Sequence, residues 1–414
     1  MINLEHLGQL AQQAARFLAL ASTTDKNKTL SLIARYLLDY QDDILVANAK
    51  DIHEAKEHGL NQSMIDRLLL TSERLEVMAN DILTIVTLPD PIGTSDDVWK
   101  NANDLTIMKQ RVPLGVIGII YESRPNVTTD AASLCFKSGN AIILRGGKEA
   151  IHSNIALVDV MQRALLAAGF PKEAIQLVTD TSRETARHFM QLNDYLDVLI
   201  PRGGANLIQT VVKTATVPVI ETGTGNCHVY VDQDAQLDMA VNIVVNGKCQ
   251  RPSVCNATET VIVHKAIAHE FLPQLAQKLA TYQVALRSNE AGLAFLPNAT
   301  LATEIDYETE FLDYILAVKV VDSFEEAIQH IQTFSTHHSE VIVTDNYFTA
   351  QQFTKQIDAA AVYVNASSRF TDGSVFGFGG EIGISTQKLH ARGPMGLKEL
   401  TSTKYIVLGN GQTR

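Results

Sequence analysis

A side chain able to act as a nucleophile stands at Cys255, in the run Gly247-Lys248-Cys249-Gln250-Arg251-Pro252-Ser253-Val254-Cys255-Asn256. The thiolate is the attacking form of a cysteine, and nearby cations favour it. Lys248 and Arg251 supply such charge in sequence. The Pro-interrupted polar turn also argues against the small buried hydrophobe that a free cysteine usually is. When sulfur attacks an acyl carbon, charge develops on the acyl oxygen and needs a hydrogen-bond donor. Asn126, in Tyr121-Glu122-Ser123-Arg124-Pro125-Asn126, places a carboxamide between a strand pattern and a helix pattern, with the Cys255 backbone N–H as a second donor. Read alone, an Asn ahead of a helix is first of all an N-cap. Glu221, in Pro218-Val219-Ile220-Glu221-Thr222-Gly223-Thr224-Gly225-Asn226, ends a strand pattern and opens a Gly-rich turn. It could take the thiol's proton or position a water; the plain alternative is a solvated turn carboxylate.

Two further turns have the composition of phosphate sites. Arg145-Gly146-Gly147-Lys148 and Pro201-Arg202-Gly203-Gly204-Ala205-Asn206 each follow an apolar run and open a helical pattern. Glycines let backbone approach a phosphate, and a helix N-terminus attracts anions. A solvated turn is the alternative for each. Neither GxGxxG nor GxxxxGK[ST] is present, so a standard Rossmann or P-loop site is not written here. His337-His338 is the one adjacent His pair, with no HxxxH spacing and no Cys/His cluster. No metal is expected, and both histidines are read as surface residues.

These residues need elements to hold them. Residues up to about 90 read as helices, with Leu4, Leu7, Leu10, Ala11, Ala14, Phe17 and Leu18 at helical spacing. After Asp90-Pro91-Ile92-Gly93 the pattern changes to short apolar runs at 116–120, 141–144, 175–178, 198–200 and 217–220. Helical patterns lie between them at 127–137, 150–168, 183–192 and 205–212. Strands alternating with helices imply right-handed βαβ units and a mostly parallel sheet, which binds nucleotides at the carboxyl ends of its strands. A second such stretch runs from 234 to about 361, with strands near 259–263, 317–321, 341–343 and 361–364. From Asn365 the chain is rich in Gly, Ser and Arg, the composition of site or interface loops.

Composition narrows the function. At 414 residues the chain should form two or three domains. A net charge of −12 with no basic stretch speaks against nucleic-acid binding. No uncharged apolar run approaches the roughly 18 residues of a membrane span. Residues 1–20 carry Glu5 and Arg16 within a helical pattern and lack a signal-peptide core. The four cysteines, 135, 227, 249 and 255, show no framework spacing, which fits free thiols in a reducing cytosol.

Taken together, Arg111 to Val127, Leu144 to Ala150, Ile200 to Gly204, Glu221 to His228, Arg251 to Asn256, Phe311 to Lys319, Arg369 to Gly373 and His390 to Gly396 resemble the aldehyde dehydrogenase superfamily over nearly the whole chain. The resemblance implies an α/β fold of two domains with parallel-rich sheets and a small oligomerisation hairpin and arm. It implies a cofactor domain from 1–106 and 127–232, a catalytic domain at 233–364, an oligomerisation element from 107–126 and 395–414, and site loops at 365–394. Cys255 falls on the superfamily nucleophile, Asn126 on the oxyanion donor and Glu221 on the general base of hydrolytic members. Glu310 falls where the nicotinamide ribose is contacted, and Arg145, Gly146, Gly147, Lys148, Arg202, Gly203 and Gly204 on cofactor-binding turns. A cation at Lys148, where NAD-preferring relatives often have a carboxylate, points to NADP(H).

The branch of the superfamily that these motifs resemble reduces L-glutamyl 5-phosphate to L-glutamate 5-semialdehyde in proline biosynthesis. A Cys255 thioester would form with loss of phosphate and be resolved by hydride from NADPH. Phosphate is the leaving group, so a hydrolytic role for Glu221 does not follow. Arg124, Arg251, Arg369 and Arg392 stand as ligands for the anionic substrate, with Gly380, Gly383 and Ser385 for its amino-acid end. The resemblance further implies a homo-oligomer in the cytoplasm and a contact with the glutamate 5-kinase that makes the acyl phosphate. The alternatives are a hydrolytic aldehyde dehydrogenase and an inactive regulatory homologue.

Overall fold

Leu4, Gly8, Ala11, Ala14 and Leu18 recur at three- and four-residue spacing and form the buried stripe of α1 (Leu4–Leu18). The computed structural model describes residues 3–414. Side-chain caps start the first helices. The Asn3 side chain accepts from the His6 N–H ahead of α1, Ser22 caps α2 (Thr23–Asp39), Asn61 caps α4 (Gln62–Leu68) and Thr71 caps α5 (Ser72–Thr87). Only α3 (Gln41–Glu57) in this group starts without one.

The chain divides into two compact units, with the boundary between Thr222 and Gly223. In the first unit, β1 (Ser95–Lys100) and β2 (Thr106–Pro113) form an antiparallel hairpin. Then come β3 (Val116–Tyr121), α6 (Pro125–Lys137), β4 (Ala141–Arg145), α7 (Ile151–Ala167), β5 (Ile175–Leu177), α8 (Arg183–Phe189), β6 (Val198–Arg202) and α9 (Ala205–Thr214). The four strands from β3 to β6 make a parallel sheet in the order β5-β4-β3-β6. Every residue of β3 is buried, as a parallel strand covered on both faces requires. The run at 217–220, expected as a strand, forms a single bridge from Val219 to Leu199. Pro218 interrupts it, and proline cannot donate to a ladder.

The second unit holds β7 (Cys227–Val231), α10 (Leu237–Cys249), β8 (Thr258–His264), α11 (Lys265–Ala280), β9 (Ala285–Ser288), α12 (Glu290–Leu293), β10 (Thr300–Leu301), α13 (Glu304–Glu308), β11 (Ile315–Val321), α14 (Phe324–Phe334), β12 (Ser339–Val343), α15 (Tyr347–Gln356) and β13 (Ala361–Val364). Its seven strands run parallel in the order β10-β9-β11-β8-β7-β12-β13. Side chains alternate between two apolar cores. Val229, Val231, Val261, Val263, Val341 and Val343 enter one, while Tyr230, Ile262 and Ile342 enter the other. A short ladder of β14 (Ile384–Ser385) with β15 (Gly393–Pro394) also belongs to this unit.

The chain returns to the first unit through Gly377–Gly383 and Met395–Arg414, and β16 (Thr401–Leu408) pairs antiparallel with β2. The segment 107–126 therefore holds strands of two different sheets, β2 and β3, and β1 lies ahead of it. β7, grouped in sequence with the first domain, is a central strand of the second sheet. A Gly-rich turn hides such a change of sheet, because nothing in its composition says which sheet the next strand joins.

Candidate active site

The carboxyl ends of β3, β4 and β6 lie side by side, with Ile120 in register with Arg145 and Tyr121 with Arg202. The loops that leave these strands thus gather at one edge of the first unit's sheet, where such sheets bind ligands. Arg145 is half-buried, and its Nη2 donates to the carbonyls of Thr181 at 2.9 Å and Ser182 at 3.3 Å. Burial holds its guanidinium below the ordinary value, against the pull of Asp180 and Glu149. Lys148 is exposed at the start of a single 3₁₀ turn, Lys148–Ala150. At the other glycine turn a carboxylate has arrived first. The Gly204 N–H, at the N-cap of α9, donates to Glu122 Oε2 at 2.9 Å. A Cβ on Gly203 would also meet the Glu122 carboxyl.

Asn126 is not a cap. Arg124 holds the N-cap position of α6, Pro125 opens the helix with the φ that suits it, and Asn126 is one residue further in. The Asn126 side chain is exposed and its Nδ2 donates to Asp130 Oδ2 at 3.1 Å. Glu221 is half-buried, and its neighbour Thr222 donates its hydroxyl to the Pro201 carbonyl at 2.8 Å. Gly380 and Gly383 belong to this first unit, and a Cβ on Gly383 would meet Thr222 and the Arg202 guanidinium.

In the second unit, Cys255 lies in the turn between α10 and β8 and is partly exposed, whereas Cys135, Cys227 and Cys249 are buried. Burial pushes the Cys249 thiol up to about 11 and raises those of Cys135 and Cys227 as well. The Cys255 turn is fixed from several sides. Its carbonyl accepts from Cys227 Sγ at 3.2 Å. A Cβ on Gly225 would overlap that same carbonyl, so only glycine fits where this strand-entry turn passes. The Gly225 N–H donates to Glu310 Oε1 at 2.7 Å, and burial raises the Glu310 carboxyl above its ordinary value. Asn256 is buried. Its Nδ2 donates to the Thr371 carbonyl at 2.9 Å, and its Oδ1 accepts from Arg369 Nη1.

Charge around the thiol differs from expectation in one respect. Lys248 is fully buried, with its Nζ 2.5 Å from Glu259 Oε2. Burial pushes Lys248 down and Glu259 up to about 7, and their contact opposes both. The Lys248 charge is thus balanced by Glu259, not offered to Cys255. The cation that interacts with Cys255 is Arg369, which Arg251 in turn adjoins electrostatically. The Arg369 guanidinium is lowered first by burial and next by the Arg251 charge, while Cys255 acts in the opposite sense. The resemblance names Arg369 as a substrate ligand, but its partner Asn256 lies 113 residues away, so sequence order hides the pairing.

Other expected ligands take different places. Arg392 Nη1 pairs with Asp358 Oδ1 at 2.7 Å, and Lys388 joins the same carboxylate at 2.5 Å. These contacts hold the Asp358 carboxyl down at about 2. Ser385 is fully buried in β14, and Arg124 is half-buried. His337 is exposed, but His338 is buried and its Nδ1 lies 2.8 Å from Ser339 Oγ, which corrects its reading as a surface residue. Among the described residues no group of three or more His, Cys, Asp or Glu is placed to hold a metal. No helix among them is long and apolar enough to cross a membrane.

The pattern of the aldehyde dehydrogenase family matches residues 3–292 and 307–406. The chain belongs to that family. An Enterococcus faecalis protein named gamma-glutamyl phosphate reductase is 63% identical over 412 residues, spanning 100% of this chain and 99% of its own. The crystal structure of gamma-glutamyl phosphate reductase from Thermotoga maritima is similar with a TM-score of 0.98 and 47% identity, covering 100% of both chains. An acetylating aldehyde dehydrogenase from Geobacillus thermoglucosidasius shares the aldehyde dehydrogenase fold at 19% identity, with a TM-score of 0.71 over 100% of this chain and 97% of that one.

Proposed function

We propose that this chain reduces L-glutamyl 5-phosphate to L-glutamate 5-semialdehyde and phosphate, the second step of proline synthesis from glutamate. The observation that carries the proposal is full-length identity of 63% to a relative of that name. The single partly exposed thiol, in a turn held by buried hydrogen bonds, agrees with it. In this reading Cys255 attacks the acyl carbon as thiolate, favoured by Arg369. The C–O bond to phosphate breaks, and the acyl group stays on sulfur as a thioester. Asn126 and the Cys255 N–H hold the charge on the acyl oxygen. Phosphate is a good leaving group, so Glu221 is assigned thiol deprotonation or positioning, with no activated water. When bound, a reduced nicotinamide would supply hydride for the thioester carbon, and Cys255 would then leave as thiolate when its C–S bond breaks.

The residues at the sheet edge fit a dinucleotide. Lys148 is exposed at the first turn, and at the second the Gly204 N–H at the start of α9 becomes a phosphate donor once Glu122 releases it. The preference for NADP(H) rests on Lys148, and Glu310 is assigned to the nicotinamide ribose. Arg124, Arg251 and Arg369 are assigned to the substrate's phosphate and acyl end, and Gly380, Gly383 and Ser385 to its amino-acid end. Arg392 is tied to Asp358 and is assigned to shaping its loop. The chain is proposed to act in the cytoplasm as a homo-oligomer, through the sheet of β1, β2 and β16. There Val98, Trp99, Tyr405 and Val407 are exposed. Glutamate 5-kinase is the proposed supplier and contact.

The test is the reverse reaction: NADP reduction with glutamate semialdehyde and phosphate, omitting each component in turn. Turnover that needs phosphate supports the proposal. Turnover without phosphate would mean a hydrolytic aldehyde dehydrogenase, and no turnover with any acyl acceptor an inactive homologue.

A further inference from the structure

We propose that Asp130 is a positioning residue for the reaction: its carboxyl oxygen holds one N–H of the Asn126 carboxamide and so aims the other at the oxygen of the reacting acyl group. The inference rests on the reading of Asn126 as oxyanion donor. Both residues are on α6, four apart and therefore on one face, with Asn126 Nδ2 3.1 Å from Asp130 Oδ2. An exposed Asn has a broad terminal torsion and would lose much of its donor power to wrong orientations. A carboxamide has two N–H donors, so one can be anchored while the other faces substrate. Asp130 is less exposed than Asn126, which makes it the fixed member of the pair.

The charge on this anchor matters. An ionised carboxylate would oppose negative charge developing nearby, whereas a neutral carboxyl still accepts through its carbonyl oxygen. Three groups face Asp130: Asp81 from α5, Arg202 from the end of β6 and Asn126 from its own helix. Burial, with the Asp81 charge second, pushes the Asp130 carboxyl up to about 7, against Asn126 and Arg202. Below that pH the anchor is neutral. As pH rises through it, negative charge appears next to the donor.

The experiment compares wild type, Asn126→Ala, Asp130→Leu, Asp130→Asn and the Asn126→Ala/Asp130→Leu pair in the reverse assay between pH 6 and 9. Asp130→Leu should lower kcat roughly ten- to a hundredfold with little change in KM, the scale of a misaimed catalytic group. Asp130→Asn retains an acceptor without charge. It should recover most of the rate at pH 6.5 and lack the fall that Asp130 ionisation adds above pH 7. The double variant should be no slower than Asn126→Ala, because the anchor acts only through Asn126. Thermal melting at pH 8 separates misfolding from misaiming. There the ionised acid is already penalised by burial, so neither Asp130 variant should melt below wild type. If Asn126→Ala slows turnover but Asp130→Leu does not, the positioning role is overturned while the oxyanion reading stands. If Asn126→Ala itself leaves kcat unchanged, the oxyanion reading fails and the positioning role with it.

Discussion

Around Cys255, Asn256 is buried with its carboxamide bonded at both ends, Cys227 donates to the Cys255 carbonyl, and Gly225 is pressed against it. At the glycine turns of the first unit, Lys148 extends into solvent and Glu122 occupies the Gly204 N–H. One region is fixed by many short contacts, and the other leaves polar groups to be exchanged with a ligand. Bond-making needs reacting atoms placed to within fractions of an ångström. Charge recognition acts over a longer range and tolerates mobile side chains. The contrast matches a thiol that must be aimed and a phosphate that must be found.

Mutations can break this contrast, beginning with the region where small changes should matter most. Cys255→Ala should abolish reverse-direction turnover while nucleotide binding, followed by fluorescence titration, persists. Cys249→Ser should retain most activity, because that thiol is buried. Substantial turnover in Cys255→Ala would end the covalent mechanism. Next in size is Arg369→Met, which removes a cation beside Cys255 and frees the buried Asn256 Oδ1. Loss of a neighbouring positive charge raises a thiol's pKa, so iodoacetamide alkylation should shift to higher pH and slow about tenfold near neutrality. An unchanged alkylation profile would remove Arg369 from the thiol's electrostatics.

The exposed turn should give smaller and more selective effects. Lys148→Glu should raise KM for NADPH about tenfold or more, the scale of one charged hydrogen bond, and change that for NADH much less. The discrimination should shrink as salt rises, since an open site is screened. Equal NADPH affinity in mutant and wild type would put the 2′-phosphate elsewhere. Glu122→Gln should have the mildest effect, a severalfold tighter binding of either dinucleotide as a negative charge leaves the α9 N-terminus. Weaker binding would instead give Glu122 a direct role in holding the cofactor.

Which parts of this were legible in the sequence follows from the range of the forces involved. The helix stripe of α1 and the fully apolar β3 are local patterns, and their period announces them. Cys255 stood out because proline and charged residues surround it in sequence. β1 gave no signal, since all its residues are exposed and it has no buried face to alternate. β7 was masked by the Gly-Thr-Gly turn ahead of it. Lys248 looked like a thiol activator because sequence shows a charge but not its partner, Glu259, eleven residues on. Glu122 and Asp130 gave no signal, because the partners that give them roles, the Gly204 N–H 82 residues on for Glu122 and Asp81 and Arg202 for Asp130, are distant in sequence.

The antiparallel sheet has a consequence in time. Arg111 in β2 reaches Thr401 at the start of β16 across 290 residues of chain, donating through Nη1 at 2.9 Å. At synthesis rates of about 5–20 residues per second, β2 waits roughly 15–60 s for its partner strand. Until then its edge is unpaired, and the first unit is built before the strand that closes it exists. Lys109 and Arg111 on β2, together with Asp96 and Asp97 on β1, put charge along that waiting ribbon. Charged side chains of this kind discourage strand-to-strand aggregation. Lys109 and Arg111, which sit between β1 and β16 in the finished protein, thus act earlier with the β1 carboxylates as guards of the nascent chain.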